Sequence, residues 1–340
     1  MTGPVQVTRH GGEISDPRKI YAPLFPDFLG AHRPLTFDAY QRTEENKLRV
    51  VCTAGNELSS EQLSLCRELG KNKRLYVRMD QQEEAVKFAE NALPELLTDP
   101  QVPLESKCGM VQNLTTSLSA ELFDKPSAEN IRRQKETVTA MVGLTMRNPA
   151  AVRGLLGLTH HDYYTYTHSV NVGIYALSIA IKHLNPAEHN LSEVTSGFFL
   201  HDIGKSQISL DIINKNGPLT EEEWAEMRKH PEKGFGLLER EKSGTPIVRL
   251  IVGQHHERMD GRGYPEGASG EEIHLYARIC SIADAYDALT TKRSYKPAMP
   301  PFKALSIMKE EMCQQFDPDI FKTFVLMMRN QQMPEPQKQL

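Results

Sequence analysis

Three side chains that could act in catalysis or bind a metal follow the apolar residues "FFL" in the segment "FFLHDIGKSQI", residues 198–208. They are His201, Asp202 and Lys205. Polar groups at the end of a buried helix cost free energy unless they bind something. Histidine is also concentrated around them, since ten of the chain's twelve histidines lie between residues 160 and 274. This clustering favours a shared site in the second half of the chain.

Histidines and carboxylates recur at predicted helix ends, where side chains from several helices can converge. His168 opens a long apolar helix, His230 falls at a junction between two helices, and Asp284 lies within an apolar helix. The candidate metal ligands are His168, His201, Asp202, His230, His255, His256 and Asp284. Taken singly, each would more often be a capping, surface or core residue. Together, five imidazoles and two carboxylates exceed what one tetrahedral centre accepts, which favours more than one ion.

Two cations held close together suit phosphoryl chemistry, because they can hold both the attacking and the leaving oxygen. A carboxylate has two oxygens and can bridge such a pair. Ligation by nitrogen and oxygen without cysteine suits iron, manganese, nickel or zinc, and does not select among them.

Lys205 follows His201 by four residues, which predicts that both lie on one helical face. Two cations would repel the ammonium group, so it needs a nearby anion, and a substrate phosphate would supply one. Lys205 could then neutralise phosphate charge or give a proton to the leaving oxygen. The alternative is a solvated cation at a helix end, stabilised by the helix dipole.

Composition bounds the class of protein. The 340 residues carry a net charge of −4, which argues against a surface for DNA or RNA polymers. The longest strongly apolar run is far shorter than the roughly 20 residues that cross a bilayer, and the N-terminus lacks the apolar core of a signal peptide. The five cysteines follow no metal-binding or disulfide pattern. We therefore expect a cytoplasmic protein with reduced thiols and no membrane association.

The elements that must position these residues divide the chain into three parts. We expect an α/β regulatory module at 1–100, with strands in "KLRVVCTAG" and "RLYVRM" and helices in "SSEQLSLCRELG" and "QEEAVKFAENALPELL". A helical linker follows at 101–148, and its segment 104–148 is a candidate surface for a homodimer. Residues 149–335 show almost no strand signal and predict an all-helical domain. The predicted fold class is therefore mainly α with a small α/β N-terminal module.

The second half of the chain resembles the HD-GYP group of the HD phosphohydrolase superfamily. The motifs that carry the resemblance are "THSVNVG", "LHDIGK", "NGPLTEEEWAEMRKHPEKG", "GQHHERMDGRGYP" and "ARICSIADAYDALTTKRSYKPA". They span about 160 to 310 and leave the N-terminal half uncovered. The resemblance implies an all-α domain with two or three divalent metal ions, iron or manganese first. It also implies hydrolysis of cyclic di-GMP through pGpG, often on to GMP.

The resemblance also assigns roles to single residues. It implies that the seven candidate ligands bind the metals, with Asp202 bridging, and that Asp202 and Lys205 are catalytic. The implied substrate contacts are Arg293 and Lys296 to phosphate, Asp287 as a ligand-orienting or base-contacting group, and Tyr264 in the loop "GRGYP", residues 261–265. The loop is also associated with recognition of a protein partner, or it is simply a structural turn.

One position departs from the family pattern. Members with three metals have a Glu four residues before the first ligand histidine, where this chain has Tyr164. We therefore expect two metals, although His160, His161 or Asp162 could substitute as a ligand.

The mechanism expected is attack on phosphorus by a hydroxide activated by two metal ions, in line with the departing 3′ oxygen. Two alternatives stay open at this point. One is a catalytically weak sensor that binds a cyclic dinucleotide, and the other is the same chemistry on 3′,3′-cyclic GMP-AMP.

Overall fold

The computed structural model describes residues 21–31, 33–44, 47–159, 165–292 and 298–332, of which 330–332 are described by backbone only. Among them, the chain divides into two compact units between Leu114 and Thr115, inside one long helix. The boundaries expected at residues 100 and 148 remain predictions. No helix of the described part is long and apolar enough to span a bilayer.

The first unit contains a four-stranded antiparallel sheet with the strand order β1-β4-β2-β3. The strands are β1 (Tyr21–Pro23), β2 (Ala39–Arg42), β3 (Leu48–Cys52) and β4 (Leu75–Arg78). Two helices, α1 (Ser60–Lys71) and α2 (Gln82–Thr98), follow β3 and β4, in the segments where the sequence predicts them. Ser59 and Gln62 form a reciprocal capping box at the start of α1.

The second unit is helical in its described residues, which confirms the predicted fold class. Its helices are α3 (Leu104–Asp124, shared with the first unit), α4 (Ala128–Arg147), α5 (Ala150–Gly157), α6 (Thr165–His183), α7 (Leu191–Leu200), α8 (Leu210–Ile213), α9 (Glu221–Met227), α10 (His230–Arg240), α11 (Pro246–Gln254), α12 (Leu275–Thr290), α13 (Pro301–Glu310) and α14 (Pro318–Gln332). Short 3-10 helices cover Pro26–Gly30, Met79–Gln81, Ile203–Gln207, Gly270–Glu272 and Cys313–Gln315.

Helix α6 is the centre of the second unit, because its residues from Thr167 to Ala180 are all buried. It packs against α7, α12 and α14, and α7 packs in turn against α11 and α4. A helix that is apolar on all sides is stable only inside such a bundle. Since candidate ligands lie on α6 and α12 and directly after α7 and α11, the packing of the core also fixes the site.

The segment after α7 lies directly against the start of α10. The helix ends at Leu200, and the 3-10 helix Ile203–Gln207 follows. A Cβ atom on Gly204 would lie 1.9 Å from the backbone oxygen of His230 and 2.5 Å from the backbone nitrogen of Gly234. Only glycine permits this approach, which brings the chain around His201 close to His230.

The substitution Gly204→Ala should therefore destabilise the protein, because the added methyl group meets rigid backbone rather than a movable side chain. Overpacking of this kind typically costs about 1–3 kcal/mol of unfolding free energy, measured by denaturant titration. Gly236→Ala in α10 is the matched control, since a Cβ there meets nothing within 4 Å. Equal unfolding free energies for the two variants would show that the close approach does not constrain the fold.

Candidate metal centre

The structure brings all seven predicted ligands together from five parts of the second unit. They lie at the start of α6, after the end of α7, at the start of α10, after the end of α11 and in the middle of α12. The side chains of His168, His201, Asp202, His230 and His255 are almost completely buried. Residues up to 119 positions apart in the chain thus share one polar cluster in an apolar interior.

Two groups of potential ligand atoms share the carboxylate of Asp202. The first group is Asp202, His230, His255 and His256, and the second is His168, His201 and Asp202, each with its atoms within 4.8 Å of one another. Oδ1 of Asp202 lies 3.2 Å from Nε2 of His230 and 3.7 Å from Nε2 of His255. Its Oδ2 lies 3.5 Å from Nε2 of both His168 and His201. One carboxylate therefore presents one oxygen to each group.

Asp284 makes a second connection between the two groups. Its Oδ1 lies 3.1 Å from Nε2 of His168, and its Oδ2 lies 3.6 Å from Nδ1 of His256. This arrangement of imidazoles around two spanning carboxylates suits a pair of cations better than a single ion.

Three of the histidines are oriented by the last turn before them. Nδ1 of His201, His230 and His255 lies 2.8 Å from the backbone oxygen of the residue three positions earlier in the chain. A carbonyl oxygen only accepts, so each Nδ1 carries the proton and donates it. Each Nε2 therefore presents a bare lone pair to the cluster, which is the form of imidazole that binds a metal.

These bare nitrogen atoms fit a divalent cation. Nε2 of His230 and Nε2 of His255 face each other at 3.2 Å, an arrangement of two lone pairs that repel unless a cation lies near both. Within the described part of the chain, Nε2 of His201 and Oδ1 of Asp202 are buried without a hydrogen-bond partner. Burial lowers the pKa of His201 to about 3 and also lowers that of His230. Neutral imidazoles next to a carboxylate are a suitable donor set for iron, manganese, nickel or zinc.

His168 is oriented by a side-chain network instead of a backbone oxygen. Its Nδ1 lies 2.7 Å from Oδ2 of Asp287, whose Oδ1 accepts hydrogen bonds from Asn171 at 2.9 Å and Thr291 at 3.0 Å. Burial alone would lower the pKa of His168, but hydrogen bonds to Asp284 and Asp287 raise it to about 10. The two carboxylates favour a second proton on this imidazole, at Nε2. A metal ion bound at Nε2 would replace that proton.

Asp287 is thus placed to orient a ligand. Its side chain is 1% exposed and both of its oxygens are occupied by protein donors. Of the two roles expected for it, the geometry favours orientation of His168 over contact with a substrate base.

The sequence spacing predicts that Lys205 and His201 share one face of an α-helix, and this prediction is wrong: neither residue lies in α7, and Lys205 contacts Asp202. The reason is that α7 ends at Leu200, so that Lys205 belongs to the following 3-10 helix. Its Nζ lies 2.5 Å from Oδ2 of Asp202. Burial raises the pKa of Asp202, but Lys205 and the surrounding imidazoles outweigh it and hold the pKa well below its usual range. Asp202 is therefore ionised.

Tyr264 covers one side of the cluster. Its ring stacks on His256 with the centroids 4.7 Å apart and the planes 31° apart. Burial raises the pKa of the phenol above its usual value, so the hydroxyl keeps its proton and can donate a hydrogen bond.

Some predicted residues lie outside the described ones. These are Arg293 and Lys296, expected to bind phosphate, and Tyr164, His160, His161 and Asp162, on which the expected number of metals depends. Their roles stay predictions.

Three residues that the structure connects to the site were not predicted. Asn171 and Thr291 hold Asp287, and their spacing of three residues from His168 and four from Asp287 is a signal that they share those helical faces. Glu257, directly after the two histidines, is buried beside the cluster.

Comparison with known proteins identifies the family. A family model described as HD domain matches residues 144–320, just over half of the chain. The chain belongs to the HD domain family. Its motifs "LHDIGK" and "HHERMDGRGYP" are those expected of HD-GYP members, and this recognition is confirmed.

Two curated relatives of this HD domain protein illustrate the similarity. A cyclic di-GMP phosphodiesterase of Pseudomonas aeruginosa is 34% identical over 216 residues, which are 64% of this chain and 48% of the relative. A 3′3′-cGAMP-specific phosphodiesterase of Vibrio cholerae is 39% identical over 158 residues, 46% of this chain and 34% of the relative. The chain thus spans half or less of the length of these relatives.

A solved structure shows the same fold. An HDG"Y"P protein from Bdellovibrio bacteriovorus matches with a TM-score of 0.66 at 21% identity, covering 91% of this chain and 99% of the other. The match includes the N-terminal part that the family motifs leave uncovered.

Replacing Asp287 by Asn should weaken metal binding about 10–100-fold, the usual effect of losing a partner that orients a ligand. Asparagine can accept from His168 with its oxygen, but its amide group then faces the amide of Asn171. The measurement is calorimetric titration of metal-free protein with Mn²⁺. Asp319→Asn, at an exposed position in α14, is the control. Unchanged Mn²⁺ affinity together with weaker dinucleotide binding would assign Asp287 to the substrate instead.

Proposed function

We propose that this protein is a metal-dependent phosphodiesterase that hydrolyses cyclic di-GMP to pGpG, GMP or both. The observation that supports this most is the carboxylate of Asp202 between two groups of imidazoles, with Lys205 on one of its oxygens. A phosphodiester anion is the substrate class that such a site attracts and that two cations can activate.

The seven ligands would hold two divalent ions, one in each group. We propose iron or manganese first, as the family resemblance implies, with nickel and zinc as further candidates, because the mixed nitrogen and oxygen donors suit all four metals. Ions bound there would neutralise charge on the phosphodiester and activate a water molecule for attack. The expectation of two ions follows from Tyr164 at the position where a third ion would need a carboxylate.

The chain's own residues prepare the site for this reaction. Lys205 Nζ is a protonated donor beside Asp202, in a place where it can stabilise phosphate charge or protonate the leaving 3′ oxygen. Tyr264 offers a second protonated donor at the rim. The apolar walls around the ligands strengthen each electrostatic interaction, because few water molecules screen it. Arg293 and Lys296 are proposed to bind the substrate phosphates.

The second candidate function is hydrolysis of a different cyclic dinucleotide by the same centre. One relative carries the name of a cyclic di-GMP phosphodiesterase and another that of a 3′3′-cGAMP-specific enzyme, and the identities are similar. We therefore propose cyclic di-GMP first and 3′,3′-cyclic GMP-AMP as the alternative substrate of the same centre. Parallel product assays with both dinucleotides, on protein purified anaerobically and analysed for metals, distinguish them.

The remaining expectations complete the proposal. Residues 1–100 would regulate the centre, the loop 261–265 would contact a protein partner, and residues 104–148 would support a homodimer. A cytoplasmic location fits the five free cysteines, of which Cys313 is exposed.

Lys205→Ala should lower kcat by about 10²–10⁴-fold while the metal content is unchanged, because the lost group acts on the leaving oxygen and is not a ligand. The measurement combines steady-state kinetics with elemental analysis. Lys322→Ala, on the exposed side of α14, is the control and should behave like the natural protein. Full turnover by Lys205→Ala would remove this residue from the mechanism.

Asp202→Ala should lose both metal content and turnover, since the carboxylate serves both ligand groups. A protein that keeps its metals and its turnover after this change would contradict the proposed centre.

If the natural protein instead binds the dinucleotide tightly with its metals present and releases no product, it is a sensor and not an enzyme.

A further inference from the structure

Glu257 is a buried carboxylate for which the metal centre has no evident use. Its side chain is 2% exposed, although it follows two ligand histidines directly. Oε1 accepts a hydrogen bond from the backbone N–H of Glu266 at 2.7 Å. Oε2 is buried without a hydrogen-bond partner among the residues that the structure describes. Burying a polar side chain with an unpartnered atom costs free energy, and the one hydrogen bond described for Glu257 fixes this side chain to Glu266.

The bond closes the loop that contains Tyr264. Glu257 lies before the loop 261–265, and Glu266 is the first residue after it. Within the loop, the backbone N–H of Tyr264 donates to the backbone oxygen of His256 at 3.2 Å. Gly263 packs so tightly that a Cβ atom would lie 2.5 Å from the backbone nitrogen of Arg258 and from Cα of Glu257. The loop therefore folds back onto its own starting residues.

A second acid holds only the inner turn of this loop. Oδ1 of Asp260 accepts the backbone N–H of Arg262 at 3.1 Å, and its Oδ2 pairs with the guanidinium of Arg258 at 2.7 Å. Neither contact reaches past Arg262. Among the side-chain hydrogen bonds of Glu257 and Asp260 that the structure describes, only that of Glu257 connects the residues before the loop with the residue directly after it.

Glu257 is not part of either ligand group of the described residues. Its bond is instead to the backbone of Glu266, two residues after Tyr264, and the ring of Tyr264 packs against that of His256. We propose that Glu257 is a positioning residue: it acts through the loop to hold Tyr264 at the rim of the metal centre. The consequence for the substrate depends on the proposed function, in which Tyr264 donates to the dinucleotide.

A double-mutant cycle tests this action through Tyr264. Glu257→Ala should raise KM for the dinucleotide about tenfold, the scale of one lost hydrogen bond, with a smaller change in kcat and no change in metal content. Glu257→Gln should restore most of the lost affinity, because its amide oxygen can still accept from Glu266. In a Tyr264→Ala background, Glu257→Ala should have little further effect. Glu271→Ala, an exposed acid nearby, is the control.

Hydrogen exchange gives a readout that needs no catalysis. The amide of Glu266 should exchange faster in Glu257→Ala than in the natural protein or in Glu257→Gln, while the amides of α6 keep their protection. This result can be obtained even if no dinucleotide is hydrolysed, so it separates the failure of this proposal from the failure of the proposed function.

Three outcomes would overturn the positioning role. Independent, additive effects of Glu257→Ala and Tyr264→Ala would show that Glu257 does not act through the tyrosine. Equal loss in the Gln and Ala variants would show that the acceptor bond is not what matters. Unchanged exchange at Glu266 in Glu257→Ala would show that the bond does not hold the loop.

Discussion

The ionised carboxylate of Asp202 is the constraint on which the second unit depends. It is almost completely buried, and five imidazoles and one lysine lie around it. An isolated charge in such a place would be strongly unfavourable, so its neighbours have to be cations, protonated donors or metal ions. Its two oxygens face two different groups of nitrogen atoms, and this division suits the cluster to a pair of ions.

Position and orientation of the ligands have separate origins in this fold. Position comes from long-range packing: α6 in the centre, and the glycine contact that brings the segment after α7 against α10. Orientation is mostly local, since His201, His230 and His255 each donate to a backbone oxygen three residues earlier. His168 differs because it takes its orientation from the side chain of Asp287, across the bundle.

Much of this site could be predicted from the sequence because metal binding restricts residue types and because the family motifs are long. The ligand set, the helix junction at His230 and the helical character of the second unit follow from such patterns. The contact of Lys205 could not be predicted from its spacing, since α7 ends at Leu200, before His201, and Lys205 lies in the 3-10 helix that follows. The hydrogen bonds that occupy both oxygens of Asp287 depend on tertiary contacts, and so does the strand order of the first unit. Helical and strand periodicity in the sequence does not reveal such contacts.

The helix ends at the centre also contribute partial charges of their own. α7 and α11 end just before His201 and His255, so the negative ends of their helix dipoles lie at these two histidines and favour cations. α6 and α10 begin near His168 and His230, so the positive ends of their dipoles lie there and favour an anion such as a phosphate. These dipoles belong to the backbone and do not titrate. The cluster therefore keeps a background field of both signs across the whole pH range in which the bundle is folded.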